Sequence, residues 1–216
     1  LSSDSISGQL DELESIVKEN GDIPIRLIGH SAGAWLGLIF SSKYPDHVER
    51  LFLISCGPLE SKYESYIMDK RLERLNNEEK EELYEVFETL SEGSNFSDEN
   101  IIKKLDRLMA KTDSYDMMEH KKEVIEFQPE VHKKVLDEFL KLREDGNLME
   151  YAEDVKCPVT AIHGAYDPHP YQGVKEPLSD VLDDFKFFLI EKCGHYPWYE
   201  KQAKNRFYEI LMEELG

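Results

Sequence analysis

One pentapeptide in the 216-residue chain has the composition of a nucleophile mount: Gly29-His30-Ser31-Ala32-Gly33. A serine hydroxyl is well placed to attack when it projects from a sharp turn, and glycines two positions either side give such a turn room against its neighbours. A helix starting just after Ser31 would aim its positive end at that hydroxyl and favour negative charge developing there. The backbone N–H of Ala32 is then the expected oxyanion donor, a contact of the kind that supplies on the order of 3 kcal/mol of transition-state stabilisation. The same five residues also suit a small-residue turn that only packs a helix on a strand, so their meaning depends on partners.

At neutral pH a serine needs a general base, usually a histidine, and the base needs a carboxylate to hold its tautomer. Asp167 lies in His163-Gly164-Ala165-Tyr166-Asp167-Pro168, and His195 in Cys193-Gly194-His195-Tyr196-Pro197-Trp198. An aspartate before proline is a common turn, and a loop histidine is common at surfaces. Here each falls in the turn after its own apolar run, where reacting groups of an open parallel sheet gather. Ser31, Asp167 and His195 are therefore the expected nucleophile, acid and base. His30 lies inside the elbow and points the wrong way for a base. His163, Asp167 and His169 have no helical register, and no metal is expected on them. His47, His120 and His132 sit in polar contexts and carry no signal.

The elements that must position these residues alternate. Ser5 to Asn20 reads as a helix, with Leu10, Leu13, Ile16 and Val17 on one face and Asn20-Gly21 as a stop. Ile23 to Gly29 reads as a buried strand, Ser31 to Tyr44 as a helix ended before Pro45, and Val48 to Ser55 as another strand. Helix and strand in alternation predict parallel strands joined by crossovers. From Leu59 to Asp154 the chain turns Glu/Lys-rich and helical. Leu72, Leu75, Leu83, Val86, Phe87 and Leu90 keep helical spacing; so do Ile101, Ile102, Leu105, Leu108 and Met109, and then Val131, Val135, Leu136, Phe139 and Leu142. The charge runs of this block are expected to form a solvated outer face. Strand signals resume at Pro158 to His163 and Phe185 to Ile190, with helices predicted over Val174 to Leu182 and Glu200 to Glu214. The expected organisation is a core over residues 1–58 and 155–216, with a helical insertion over 59–154.

Composition excludes more than it specifies. With 45 acidic residues against 26 basic and a net charge of −19, the chain would be repelled by nucleic acid and by anionic membrane surfaces. It has no apolar run of membrane-spanning length. Cys56, Cys157 and Cys193 are an odd set without metal-ligand spacing, as expected of reduced thiols in a cytoplasmic protein.

Taken together, the elbow, the Asp turn and the His turn resemble the α/β-hydrolase superfamily. In that fold the triad runs serine, acid, histidine in chain order, as Ser31, Asp167 and His195 do. The strands around the elbow look like the family's fifth and sixth, the helical block like its cap, and the strands before Asp167 and His195 like its seventh and eighth. The resemblance implies a serine hydrolase acting without cofactor on an ester or related acyl bond of a small molecule, through an acyl-enzyme. Aspartate-dependent dehalogenases and epoxide hydrolases are disfavoured, because Ser31 stands where they use aspartate. Tyr196 and Trp198 are expected either to line the pocket or to pack in the core. The departure is at the front: only one helix precedes the elbow, where the family places about four strands and the second oxyanion donor. The expectation is that an N-terminal segment of the fold is missing, leaving the strand that ends at Gly29 on a sheet edge. The competing reading is a non-catalytic small-molecule-binding protein on the same fold; a structural partner module has no positive feature in the sequence.

Overall fold

The computed structural model describes residues 1–91, 98–119 and 128–216. The chain begins with α1 (Ile6–Asn20), β1 (Ile25–His30), α2 (Ala32–Lys43) and β2 (Val48–Ile54). Among the described residues there follow α3 (Glu64–Glu73), α4 (Asn77–Ser91), α5 (Glu99–Asp113), α6 (Pro129–Glu144) and α7 (Asn147–Glu153). It ends with β3 (Val159–Gly164), α8 (Gln172–Val181), β4 (Phe185–Ile190) and α9 (Lys204–Leu215). Parts of the expected helical block, and His120, lie outside the described residues.

The four strands form one parallel sheet in the order β1-β2-β3-β4. Its register sets His30 opposite Ile54, Ile54 opposite Ile162, and Ile162 opposite Phe188. The turns after β1, β3 and β4 therefore open on one edge of the sheet, the carboxyl edge, where a parallel α/β sheet binds its ligands.

Side chains alternate across a strand. Leu51 and Leu53 of β2 pack with Leu10, Ala34 and Leu38 on one face, and Phe52 and Ile54 pack with Ile162, Phe207 and Ile210 on the other. Burial on both faces is why Leu51 to Ile54 of β2 read as an unbroken apolar run. β1 is not the buried strand its apolar run suggests but the edge strand expected from the single helix that precedes the elbow. It pairs only with β2, Arg26 is exposed and Ile28 keeps 48% of its surface. An edge position, not the strand's own composition, decides that exposure.

The apolar stripes of the helical block mark where its helices meet. Leu75, Leu83 and Leu108 make a separate cluster, joined by Leu72, Phe87 and Leu105. Val135 and Phe139 of α6, with Leu148 and Ala152 of α7, instead belong to the core that covers the sheet. Among the described residues, no helix is long and apolar enough to cross a membrane.

Candidate active site

Ser31 occupies the turn from β1 into α2 with φ 55° and ψ −123°. A non-glycine residue at positive φ stores strain, of order 1–3 kcal/mol, that the surroundings must hold in place. Two backbone bonds do so: the Ser31 N–H donates to Ile54 O at 3.0 Å, and Ser31 O accepts from the Ala34 N–H at 3.0 Å. The two elbow glycines are not equivalent. A Cβ on Gly29 would lie 2.4 Å from Gly33 O and 2.7 Å from the Ala34 Cα, so only glycine lets the helix start this close to the strand. A Cβ on Gly33 would meet nothing within 4 Å, so clearance does not require that glycine, contrary to the symmetrical expectation.

The turns after β3 and β4 carry the other two expected residues to the same place. Ser31 Oγ lies 3.0 Å from His195 Nε2, and His195 Nδ1 donates to Asp167 Oδ2 at 2.8 Å. Asp167 is 6% exposed and His195 4%. Burial opposes a charge on His195, but the adjacent Asp167 carboxylate and its hydrogen bond, aided by Asp113, outweigh it and raise the imidazole above its ordinary pKa. Burial likewise opposes ionisation of Asp167, yet the surrounding histidines hold it well below the ordinary carboxylate range. A base that gains a proton beside a fixed carboxylate is suited to draw the proton from Ser31. Ala32, the first residue of α2, lines the same cleft, and the N–H groups of a helix's first turn have no acceptor within the helix.

His169 is in the site although no feature of its neighbours along the chain marks it. Its Nδ1 donates to Asp167 Oδ1 at 2.7 Å, its backbone N–H donates to the same oxygen at 2.9 Å, and its ring centre is 4.6 Å from that of His195. His163 lies beneath, fully buried, donating from Nε2 to His169 O at 2.9 Å. His30 is turned away from Ser31 as expected: its Nε2 donates to His195 O at 2.9 Å, and burial beside His195 lowers its pKa to about 4. Asp167, His169 and His195 offer three ligand atoms within 4.8 Å of one another, so they, and not the set with His163, are the residues that could hold a metal ion. Such an ion would compete with the protons that join them.

Glu200 anchors the His195 turn from below. The sequence places it in the last helix, but α9 starts only at Lys204. Glu200 is 1% exposed and accepts from the N–H groups of Gly194, Tyr115 and Asp116 at 2.7–2.8 Å. The same junction has the His195 N–H donating to Asp113 O at 2.7 Å. A Cβ on Gly194 would sit 2.1 Å from that carbonyl. The segment after α5 is thus fastened directly to the turn that carries His195.

The helices between β2 and β3 roof a cleft of about 530 Å³ over Ser31. Tyr196 lines it, whereas Trp198 packs on His30 and Phe207. The expectation that this block's charges all face solvent fails here. Arg71, Asp113 and Arg143 line the cleft with mostly buried side chains, and Glu64 and His132 line it too, Glu64 with its side chain largely open to solvent. A Glu/Lys-rich helix carries no sequence signal that tells an inward charge from an outward one.

No family model and no curated relative matches the sequence. Solved structures do match. The crystal structure of VinJ aligns with a TM-score of 0.68 at 17% identity, over 98% of this chain and 72% of that one. The chain has the α/β-hydrolase fold. A proline iminopeptidase from Mycobacterium smegmatis aligns at 0.61 with 15% identity, over 98% and 71% of the two chains. A monoacylglycerol lipase from Paleococcus ferrophilus aligns at 0.59 with 16% identity, over 98% and 75%. At such identities the likeness concerns the fold, and α/β-hydrolase folds carry many chemistries.

Proposed function

We propose that the chain is a serine hydrolase that cleaves an ester or related acyl bond of a small molecule. The observation that carries this reading is the unbroken relay from Ser31 Oγ through His195 to Asp167, at 3.0 and 2.8 Å, on a serine held at φ 55°. Ser31 attacks the acyl carbonyl as its proton passes to His195 Nε2. The Ala32 N–H donates to the oxyanion. Collapse of the tetrahedral intermediate expels the alcohol or amine, which takes the proton from His195. Water then enters, is deprotonated by the same imidazole, and releases the acid. The reaction needs no cofactor, and the helices over the cleft act as a cap that shapes the acyl pocket.

A fluorophosphonate probe tests the reading. Labelling of the native chain that disappears in Ser31→Ala, together with turnover of 4-nitrophenyl esters, is the expected result. An unlabelled native chain that hydrolyses none of them overturns it in favour of a non-catalytic binding protein on the same fold.

A further inference from the structure

Two arginines line the cleft, and their situations differ. Arg71, from α3, has its fork filled by Asp113, Nε to Oδ1 at 2.9 Å and Nη2 to Oδ2 at 2.6 Å. Arg143, in the last turn of α6, is 4% exposed, and its Nε is buried with no hydrogen-bond partner. Its ion contact runs from Nη2 to Glu64 Oε2 at 2.9 Å, and that glutamate's side chain is 63% exposed.

A guanidinium presents five donors in a fixed plane, and burying it with donors unmet is costly. Burial of this kind persists when a ligand completes the set. Position agrees with that. The guanidinium centre of Arg143 lies 5.9 Å from the ring of Trp35, which stands one helical turn beyond Ser31 and lines the same cleft. Leu140 and Leu136, one and two turns back along α6, extend an apolar wall beside it. The cleft therefore offers a nucleophile, an apolar wall and a fixed cation. The solvent-facing Glu64 carboxylate is a weak competitor that a ligand can displace.

We propose that Arg143 anchors a free carboxylate carried by the substrate, so that the compound hydrolysed is an acyl compound with a second, ionised acid group. A planar two-oxygen anion matches the guanidinium fork, and the apolar wall suits the methylenes between that acid and the scissile carbonyl. This inference rests on Ser31 being the nucleophile only for its kinetic test, not for its binding test.

The kinetic test compares mono-4-nitrophenyl adipate with 4-nitrophenyl hexanoate and 4-nitrophenyl 6-aminohexanoate. The native chain is expected to show a KM at least about tenfold lower for the adipate ester, the range of a charge-assisted hydrogen bond. Arg143→Met should remove that preference, read as the ratio of the adipate to the hexanoate KM within the same variant, so that any general change in the cleft cancels. Arg143→Lys, which keeps the charge without the fork, should retain part of it. Glu64→Gln should lower the KM for adipate further by removing the competing carboxylate. Equal or better use of the hexanoate or aminohexanoate ester by the native chain overturns the proposal, as does a preference for adipate that survives in Arg143→Met. The binding test titrates monomethyl adipate and methyl hexanoate into Ser31→Ala by calorimetry. Adipate-selective binding that Arg143→Met abolishes supports the carboxylate site even if no ester is turned over, in which case only the hydrolase reading fails. Absence of selective binding overturns the carboxylate site itself.

Discussion

His169 and His195 hang from opposite oxygens of one buried carboxylate: His169 Nδ1 donates to Asp167 Oδ1 at 2.7 Å and His195 Nδ1 to Oδ2 at 2.8 Å, with the rings 4.6 Å apart. Asp167 thereby fixes both imidazoles with the proton on Nδ1, leaving each Nε2 as an acceptor. Sharing also divides the carboxylate's pull on His195. In His169→Asn the carboxylate loses an imidazole donor and holds the His195 proton more tightly. His195 must be neutral to accept the serine proton, so activity falls as pH drops through its pKa. The acid limb of kcat/KM is expected to move to higher pH in the variant, measured as a full pH profile against the native chain. An unmoved limb would show that His169 has a structural role alone.

The relay itself predicts a graded loss. Ser31→Ala is expected to lower kcat by on the order of 10⁵, and Asp167→Asn by on the order of 10⁴ because the imidazole tautomer is no longer held. Ser31→Gly should lose activity yet gain about 1 kcal/mol of stability, since glycine accepts the positive φ without strain. Urea unfolding of the two Ser31 variants beside the native chain checks this; a Gly variant no more stable than Ala would refute the strain argument.

Stability should fall on mild acidification. Burial beside His195 depresses the His30 pKa from 6.5 to about 4, so between those values the unfolded chain binds the proton and the folded chain does not. Stability is therefore full above 6.5 and is lost as pH drops towards 4, by roughly 3 kcal/mol for this group. His163 and His169, both depressed by burial first, act in the same direction. His195, raised, acts in the opposite sense just above 6.5. Thermal midpoints from pH 7.5 to 4.5 should drop steeply below 6.5, and His30→Gln should flatten that slope.

Glu200 ties the His195 turn to the segment after α5 through three backbone N–H groups. Glu200→Ala strands buried donors and is expected to destabilise the chain by about 3–5 kcal/mol, and Glu200→Gln by less. Activity should fall in both beyond what the unfolded fraction explains, because the turn that aims His195 loosens. Chemical denaturation paired with kcat measured well below the unfolding transition separates the two effects.

Zinc should inhibit. The ligand atoms of Asp167, His169 and His195 lie within 4.8 Å of one another, and an ion seated there displaces relay protons. Inhibition reversed by chelator, and weaker in His169→Asn, is the expected pattern; equal inhibition in the variant would place the ion elsewhere.

The sequence by itself determined the sheet order of events: which apolar runs become strands, which stripes pack, and that Ser31, Asp167 and His195 each follow a strand. Those are local facts. Period-2 and period-3.6 patterns record which face is buried, and turn residues record where the chain reverses. Gly29 is only half legible, since the spacing implied a close approach equally at Gly33 and the fold shows it at Gly29 alone. Tertiary structure alone decided the rest. His169, Glu200 and Arg143 look like ordinary polar residues in ordinary contexts, and nothing in their neighbours along the chain marks them. Their roles arise from groups far away in sequence: Glu200 from the backbone at 115 and 116, and Arg143 from Trp35 and Glu64. Burial of a charge depends on what folds over it, and a helix's own composition does not record that. β1 is divided between the two: the single helix before the elbow already pointed to a sheet edge, but only the fold shows that Ile28 is the apolar residue left exposed there. Ser31 could be singled out from its pentapeptide and the two later turns; the carboxylate shared between two histidines, under a roof holding an under-partnered arginine, required the fold.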